Sequence, residues 1–170
     1  MRRVFCASNA TERCRVKFLC DEMLKRLGQW LRIAGYDVLM LPDGTADRVL
    51  IEAAAQQGRV LLTRDREMAQ HPDAAPVVVL LECQDLEDCV AQLSHRLPID
   101  WLYRPFTRCL NCNTELLEAD ATRRQRVPQK ALRLASNIVY CPSCDQLYWE
   151  GSHVARMRER LRKWEQNAAS

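Results

Sequence analysis

Long hydrophobic runs are absent from this sequence, and their absence excludes several classes of protein. No stretch approaches the roughly 18 uncharged apolar residues that a membrane-spanning helix requires. The N-terminus has no apolar core of the kind that secretory signal peptides carry. No internal repeat is visible either, so a repeat architecture is not expected. We therefore expect an intracellular protein with no membrane partner.

What is present is the composition of an ordinary globular protein. Of the 170 residues, 48% are hydrophobic and 28% are charged. A chain of this length can bury a core of about 100 residues beside a small module held by a metal. The net charge is +3 but uneven: twelve Lys/Arg face seven Asp/Glu from Arg104 onward, and thirteen face fifteen before it. Basic and acidic functions are thus separated along the chain.

The first fifteen residues are basic and contain Ser and Thr, and we predict a flexible leader over 1–15. A mitochondrial transit peptide is conceivable, but Glu12 and the short length argue against it. We expect a cytoplasmic location, with a mitochondrial or nuclear one still open. Of the nine cysteines, four form two Cys-x-x-Cys pairs, and we interpret the other five as scattered free thiols. Cys20, Cys83 and Cys89 adjoin apolar runs, which favours buried thiols in a reducing compartment.

Apolar segments and amphipathic segments alternate from residue 16 to residue 103. This alternation predicts an α/β fold with a mostly parallel sheet flanked by helices, and continuous Val/Leu runs predict strands buried on both faces. We expect a zinc-ribbon module over 104–153 and a basic C-terminal helix over 154–170. The predicted strands are 16–20, 37–41, 59–63 and 76–81, and the predicted helices are 21–34, 47–57 and 85–97, with a turn of helix or a loop over 64–75.

The two Cys-x-x-Cys pairs carry the strongest chemical signal in the sequence. Such a turn aims two thiolates at one ion, and two turns complete the tetrahedron that zinc prefers. Cys109, Cys112, Cys141 and Cys144 are therefore predicted to bind one structural zinc ion, with an excursion over 122–130 in the long loop between the pairs. Four thiolates leave no open coordination position, so this zinc should stabilise and not catalyse.

Carboxylates follow the predicted strands at the edge where α/β proteins bind ligands. Asp21 follows the first strand and Asp65 the third, and Asp47, at the start of the intervening helix, is the third candidate. Asp47 or Thr45 is predicted to cap that helix. If the two strands are neighbours, the carboxylates converge and can bind Mg²⁺ or Mn²⁺, which prefer hard oxygen ligands. The alternative is that the aspartates only cap helices, and spacing alone favours that role.

Basic residues suggest contacts with a nucleic acid. Arg64 could approach a substrate phosphate, and Thr63 could orient a carboxylate. Arginine side chains in the excursion can bind phosphates, and nearby aromatic rings can stack on bases. A solvated charge run with core aromatics is an equally good interpretation. The residues concerned are Arg123, Arg124, Arg126 and Lys130, with Tyr148 and Trp149.

Taken together, these motifs resemble the PIN-like ribonuclease family called Mut-seven C-terminal, which pairs a PIN-like α/β domain with a zinc ribbon. The matching segments are DEMLKRLGQWLRIAGYD, Asp47 with LIEAAAQQGRVLLTRD, RCLNCNTEL and VYCPSCDQLYWEGSH. The resemblance implies metal-dependent cleavage of RNA, with Asp21, Asp47 and Asp65 as the catalytic, Mg²⁺- or Mn²⁺-binding residues. The resemblance therefore favours a metal site at these aspartates over a purely capping role. The family's fourth acidic position has no firm match in this sequence, and Asp85 is the candidate for it. We expect the RNA partner to be single-stranded.

The resemblance also implies a context. In some relatives this unit follows a 3'-5' exonuclease domain, so a fused domain or a larger RNA-processing assembly is an expected partner. The alternative function is an RNA-binding or adaptor module whose acidic site is degenerate. A nuclease acting on DNA also stays open, because no feature of the sequence recognises the 2'-hydroxyl.

Overall fold

The structure is a computed structural model, and it describes residues 16–133, 135 and 137–168. The leader predicted over 1–15 lies outside the described residues. The predicted mixed α/β fold is confirmed: a parallel sheet is flanked by helices, and a cysteine cluster and a C-terminal helix follow. Within the described part of the chain, no helix is both long and apolar enough to span a membrane.

A four-stranded parallel sheet forms the centre of the fold, in the order β2-β1-β3-β4. Cys20 on β1 is paired with Met40 on β2 and with Leu62 on β3, so β1 and β3 end side by side. The predicted strands are present, although β1, β2 and β4 are shorter than expected. The strands are β1 (Lys17–Cys20), β2 (Asp37–Met40), β3 (Arg59–Thr63) and β4 (Val78–Leu80).

Helices connect these strands and cover both faces of the sheet. A 3-10 turn (Glu22–Leu24) leads into the first helix, and Gly35 and Gly58 end α1 and α2 with φ of 102° and 60°, a conformation that glycine adopts readily. The short helix α3 occupies part of the segment predicted as helix or loop. The helices are α1 (Lys25–Ala34), α2 (Asp47–Gln57), α3 (Arg66–Gln70) and α4 (Leu86–Arg96).

The prediction that Asp47 or Thr45 caps helix α2 is wrong. Ala46 occupies the N-cap position with extended backbone angles, and no side chain caps the helix. The Thr45 hydroxyl instead donates to the Pro42 carbonyl at 2.6 Å. Because Asp47 is already the first helical residue, its carboxylate is left at the helix N-terminus, where the helix dipole favours a negative charge.

Side chains alternate between two cores on the two faces of the sheet. Phe18, Val60 and Leu62 pack with α1, α4 and the C-terminal helix, whereas Leu19 and Leu61 pack with α2 and the segment before β4. These five side chains are at most 3% exposed. The central strands β1 and β3 are therefore buried on both faces, as their Val/Leu runs predict.

A three-stranded antiparallel sheet, in the order β5-β6-β7, carries the second cysteine pair between β6 and β7, and the first pair lies before β5 in a turn closed by the bridge between Arg108 and Glu115. We call residues 107–149 the cysteine ribbon. Its excursion contains the helices α5 (Ala121–Arg124) and α6 (Gln129–Leu132), which cover a small core around Val127 and Ile138. The strands are β5 (Leu117–Glu118), β6 (Ile138–Tyr140) and β7 (Leu147–Trp149).

The C-terminal helix α7 (Ser152–Ala168) returns to the α/β core. Trp164 is 3% exposed and contacts Trp30 and Trp101 edge to face, with ring centroids 4.7 and 5.0 Å apart. Arg160, on the neighbouring turn, pairs with Glu87 of helix α4. The helix therefore contributes to the core of the α/β region, although the ribbon separates the two in sequence.

The expectation of scattered free thiols is wrong for two cysteines, because Cys83 and Cys89 form a disulfide. The chain turns back after β4, so that the first turn of α4 brings the two Cα atoms to 4.9 Å, a normal disulfide separation. Cys20 is a free, buried thiol as expected. These two residues thus no longer support a reducing compartment.

Candidate functional site

Three aspartates line one cavity at the carboxyl ends of the central strands. Asp21 directly follows β1, and Asp65 lies two residues after β3. Asp47 begins helix α2 on the opposite side of the cavity, whose volume is about 250 Å³. Because β1 and β3 are adjacent parallel strands, the structure brings together the three residues that the sequence singled out.

The Asp21 side chain is held by a network of hydrogen bonds and is only 3% exposed. One carboxylate oxygen accepts hydrogen bonds from the backbone amides of Met23 (2.8 Å) and Leu24 (3.2 Å). The other oxygen accepts one from the hydroxyl of Thr63, which is fully buried. The same hydroxyl accepts a hydrogen bond from the Asp65 amide at 2.9 Å, so Thr63 links the two aspartates.

Burial of the Asp21 carboxyl raises its pKa, because removal from water disfavours the charged form. The hydrogen bonds from Thr63 and from the backbone amides of Met23, Leu24 and Arg64 oppose this effect but do not cancel it. A cation beside the carboxylate would favour the ionised form and lower the pKa again. Asp21 thus caps the 3-10 turn in a buried position where a bound cation would offset part of the cost of ionising its carboxyl.

Asp65 and Asp47 keep oxygen atoms available for a ligand. Asp65 caps helix α3 with one oxygen, which accepts from the amides of Glu67 (2.7 Å) and Met68 (3.2 Å). The Asp47 carboxylate has no hydrogen-bond or ion-pair partner in the described part of the chain. Capping and ligand binding are thus compatible at Asp65, since its second oxygen has no described partner.

The three carboxylates line one cavity but are not gathered into a compact cluster of the kind that the cysteines form. Among the described residues, the four cysteines are the group of three or more candidate ligands whose atoms lie within 4.8 Å of one another. The aspartates do not form such a group. Magnesium usually keeps several water ligands and needs only one or two direct carboxylates, so wider spacing still fits a hydrated ion.

Glu22 is a cavity residue that the sequence analysis missed. It follows Asp21 directly, and its carboxylate accepts a hydrogen bond from the Gly44 amide at 2.8 Å across the cavity mouth. Asp85, the expected candidate for a fourth acid, does not line the cavity and caps helix α4 by accepting from the Asp88 amide at 2.9 Å. The position of Glu22 next to Asp21 was the available signal.

Four cysteine sulfurs meet where the two turns of the ribbon face each other. The Sγ atoms of Cys109 and Cys144 are 3.5 Å apart, and those of Cys112 and Cys141 are 3.3 Å apart. Each turn repeats one backbone pattern. The Asn113 and Asp145 amides donate to the carbonyls of Cys109 and Cys141, both at 2.9 Å, and both residues have positive φ.

This arrangement fits a tetrahedral metal site. Zinc with four thiolate ligands at about 2.3 Å places the sulfurs about 3.8 Å apart, close to the spacings found here. The Tyr148 hydroxyl lies 3.2 Å from the Cys109 sulfur and also accepts a hydrogen bond from the Leu110 amide. The cluster thus has the neighbours expected of metal-bound thiolates, which commonly accept hydrogen bonds.

The ribbon is fastened to the open edge of strand β2. Asn113 accepts a hydrogen bond from the Val38 amide (2.9 Å) and donates one to Asp37 (2.8 Å). The Arg32 guanidinium donates to the Val38 carbonyl and to the carbonyls of Leu110 (2.7 Å) and Asn111 (3.1 Å). The Asn113 and Arg32 side chains therefore hydrogen-bond the amide and the carbonyl of Val38 and connect the edge strand to the first cysteine turn.

Three of the four arginines predicted to bind RNA already pair with carboxylates. In the excursion, Arg123 pairs with Asp120 and stacks over Tyr140 at 3.8 Å, and Arg126 pairs with Asp145 at 2.5 Å. Arg124 pairs with Glu118 at 3.1 Å. Arg64, next to the acidic cavity, is exposed and forms no ion pair with the described residues. The excursion is consequently less available to phosphates than its composition suggests.

A protein-family model described as the Mut7-C RNAse domain matches residues 16–161. The matched region includes the acidic cavity, the cysteine ribbon and part of helix α7. No curated protein and no solved structure matches the chain.

Proposed function

Because this chain belongs to the Mut7-C RNAse domain family, we propose that it is a metal-dependent ribonuclease that hydrolyses phosphodiester bonds of single-stranded RNA. The observation that carries this proposal is the placement of Asp21, Asp47 and Asp65 around one cavity at the ends of neighbouring parallel strands. Open α/β sheets bind their ligands at this edge.

The aspartates would hold Mg²⁺ or Mn²⁺ in this cavity. When bound, such an ion lowers the pKa of water and neutralises charge on a phosphate. Asp21 is preorganised by Thr63 and two backbone amides, so its carboxylate needs no reorientation. Asp65 and Asp47 supply oxygens without described partners, and Thr63 fixes the separation between Asp21 and the Asp65 backbone.

Arg64 is proposed to contact the substrate phosphate. It is exposed, lies between Thr63 and Asp65, and forms no ion pair within the described residues. Electrostatically, a guanidinium beside three carboxylates offsets part of their repulsion of an RNA strand. Arg123, Arg124 and Arg126 were candidates for the same role, and their carboxylate partners support a smaller contribution from them.

We further propose that Cys109, Cys112, Cys141 and Cys144 bind a structural Zn²⁺. Four thiolates occupy all positions of a tetrahedron, which leaves none for a substrate. Zinc would fix the first cysteine turn, from which Asn113 reaches strand β2. Its role is therefore folding and positioning, while the chemistry belongs to the aspartates.

The test of catalysis is cleavage of a single-stranded RNA by the purified, zinc-loaded chain in Mn²⁺. We expect the double variant Asp21→Asn, Asp65→Asn to cleave RNA at least a hundredfold more slowly, because the two carboxylates that are proposed to bind the ion lose their charge. Asn is as good a helix cap as Asp, so folding should be retained. Equal cleavage by this double variant would mean that the activity comes from elsewhere.

Asp85→Asn is the matched control, because Asp85 caps a helix in the same way but does not line the cavity. It should cleave at the wild-type rate. A large loss of cleavage in this variant would instead indicate that Asp85 belongs to the acidic site.

A second candidate function is an RNA-binding or adaptor module without catalysis. The observation that favours it is that, among the described residues, the three aspartates are not found together as a compact group of candidate metal ligands, as the four cysteines are. It predicts salt-sensitive RNA binding that survives the loss of Asp21 and Asp65 and no cleavage in Mn²⁺ by the wild-type chain.

A further inference from the structure

A second, larger cavity lies between the cysteine ribbon, the segment after Arg104 and helix α7. Its volume is about 500 Å³, against about 250 Å³ for the acidic cavity, and it lies within the range of small-ligand sites. None of the three aspartates lines it. The proposed catalytic reaction leaves this cavity without a role.

The walls of this cavity are aromatic and aliphatic. Phe106, Tyr148 and Trp149 line it together with Val154 and Met157 from helix α7, and all five side chains are half-buried. Flat apolar walls of this kind suit planar ligands, since every nucleobase has a π-face that stacks on aromatic rings.

Phe106 is held in the cavity wall at a conformational cost. Its φ is 65°, a left-handed conformation that is rare for bulky residues, and its amide donates to the Ile33 carbonyl at 2.8 Å. Strained residues cluster at binding sites, where the surrounding structure maintains them. The hydrogen bond to Ile33 maintains this conformation and so holds Phe106 in the cavity wall.

The rim of the cavity carries charged side chains of both signs. The Arg158 guanidinium lies 4.8 Å from the centre of the Phe106 ring and pairs with Glu150 at 3.2 Å. Arg108 also lines the cavity and pairs with Glu115 at 3.4 Å, and the exposed His153 lies at the cavity edge. Because both arginines are paired with glutamates, the contacts that the cavity offers to a ligand are mainly those of its aromatic and aliphatic walls.

From these observations we propose that the cavity binds an unpaired nucleobase of an RNA strand, with Trp149 and Phe106 as the stacking surfaces. This inference rests on the proposed function for the choice of RNA. It moves the main RNA contact of the ribbon from the excursion arginines, which are paired with carboxylates, to the aromatic cavity. A base in a duplex cannot enter, so the site selects single-stranded RNA.

The experiment measures binding of a fluorescent twelve-residue oligouridylate to the full zinc-loaded chain by anisotropy, without added Mn²⁺ so that the probe is not cut. Val154→Phe fills the cavity from a half-buried position on helix α7, and Trp149→Leu removes a stacking surface. Each is expected to raise the Kd at least tenfold, equivalent to about 1.4 kcal/mol.

Two controls make the test specific. Leu102→Ala and Leu117→Ala change exposed apolar side chains outside the cavity and should leave the Kd unchanged. An oligomer of the same length without bases should bind weakly and equally to all variants. Circular dichroism and zinc content establish that each variant is folded, and if Trp149→Leu does not fold, Val154→Phe decides.

Unchanged oligouridylate binding by folded Val154→Phe would overturn the inference. So would an equal loss of affinity for the baseless oligomer, since the contact would then be to phosphates alone. Because binding is measured without cleavage, a chain that binds RNA through this cavity but does not cut it would refute the proposed catalysis and not the base site.

Discussion

Replacing Arg32 with Met should show how strongly the ribbon and the α/β core depend on each other. Arg32 is 2% exposed, and its guanidinium donates four hydrogen bonds to three backbone carbonyls, those of Val38, Leu110 and Asn111. Methionine preserves the apolar stem but leaves these carbonyls without their donor. Water can reach the exposed Asn111, so two orphaned acceptors remain.

The magnitude follows from those two acceptors. An unsatisfied buried acceptor costs about 1–3 kcal/mol, and removal of the buried cation returns part of that cost. We expect a loss of roughly 2–4 kcal/mol in the free energy of unfolding, or a fall in Tm of roughly 6–12 °C for a chain of this size. Urea denaturation and a thermal melt of the zinc-loaded protein measure it.

Arg26→Met is the matched control for this prediction. Arg26 lies on the same helix but is exposed and has no ion pair among the described residues, so the change should cost less than about 0.5 kcal/mol. In zinc-free protein the Arg32→Met effect should shrink, because the first cysteine turn no longer presents its carbonyls. A loss below about 1 kcal/mol, or the same loss with and without zinc, would refute the coupling.

Three further predictions concern the acidic site, the disulfide and the cysteines. The raised pKa of Asp21 means that Mn²⁺ affinity, measured by calorimetry between pH 4 and 8, should weaken at a higher pH than at a site of exposed carboxylates; constant affinity down to pH 4 would contradict this. Above the ordinary pKa of Asp, the metal-free folded chain therefore binds more protons than the unfolded chain. Its free energy of unfolding falls as the pH rises from the ordinary pKa through the raised pKa of Asp21, and Asp21→Asn should remove this decline. Replacing Cys83 and Cys89 with Ala should lower the free energy of unfolding by about 2 kcal/mol in a non-reducing urea titration, as loop entropy predicts for so short a loop, and an unchanged midpoint would argue against it. Zinc removal with a chelator should lower Tm by roughly 10 °C or more and release strand β2 to hydrogen exchange at Val38, whereas unchanged exchange there would show that the ribbon does not hold the edge.

The sequence could predict the acidic cavity because local signals and one topological rule determine it. Strand–helix alternation implies a parallel sheet, and adjacency of β1 and β3 then brings Asp21 and Asp65 together. The cysteine cluster was predictable for a similar reason, since the spacing within each pair describes a known turn. In both cases a few neighbouring residues carry the geometry.

Other features depend on contacts between residues distant in sequence, which periodicity does not encode. Arg32 on helix α1 and Asn113 in the ribbon meet at strand β2, yet each reads as an ordinary polar residue in its own segment. The disulfide was missed because Cys83 and Cys89 come together only when the chain turns back after β4. Likewise, the partners of the excursion arginines include Asp145, about twenty residues further along the chain.

The most direct measurement of the central claim is the position of Mn²⁺ in a crystal of this chain, located by its anomalous scattering. The account predicts a peak in the cavity between β1, β3 and helix α2, with Asp21 and Asp65 as ligands and Asp47 bound directly or through water. A crystal of the double variant Asp21→Asn, Asp65→Asn should show no manganese peak in this cavity. Manganese absent from this cavity at millimolar concentration, with the carboxylates still apart, would contradict the account and return Asp21 and Asp65 to capping alone.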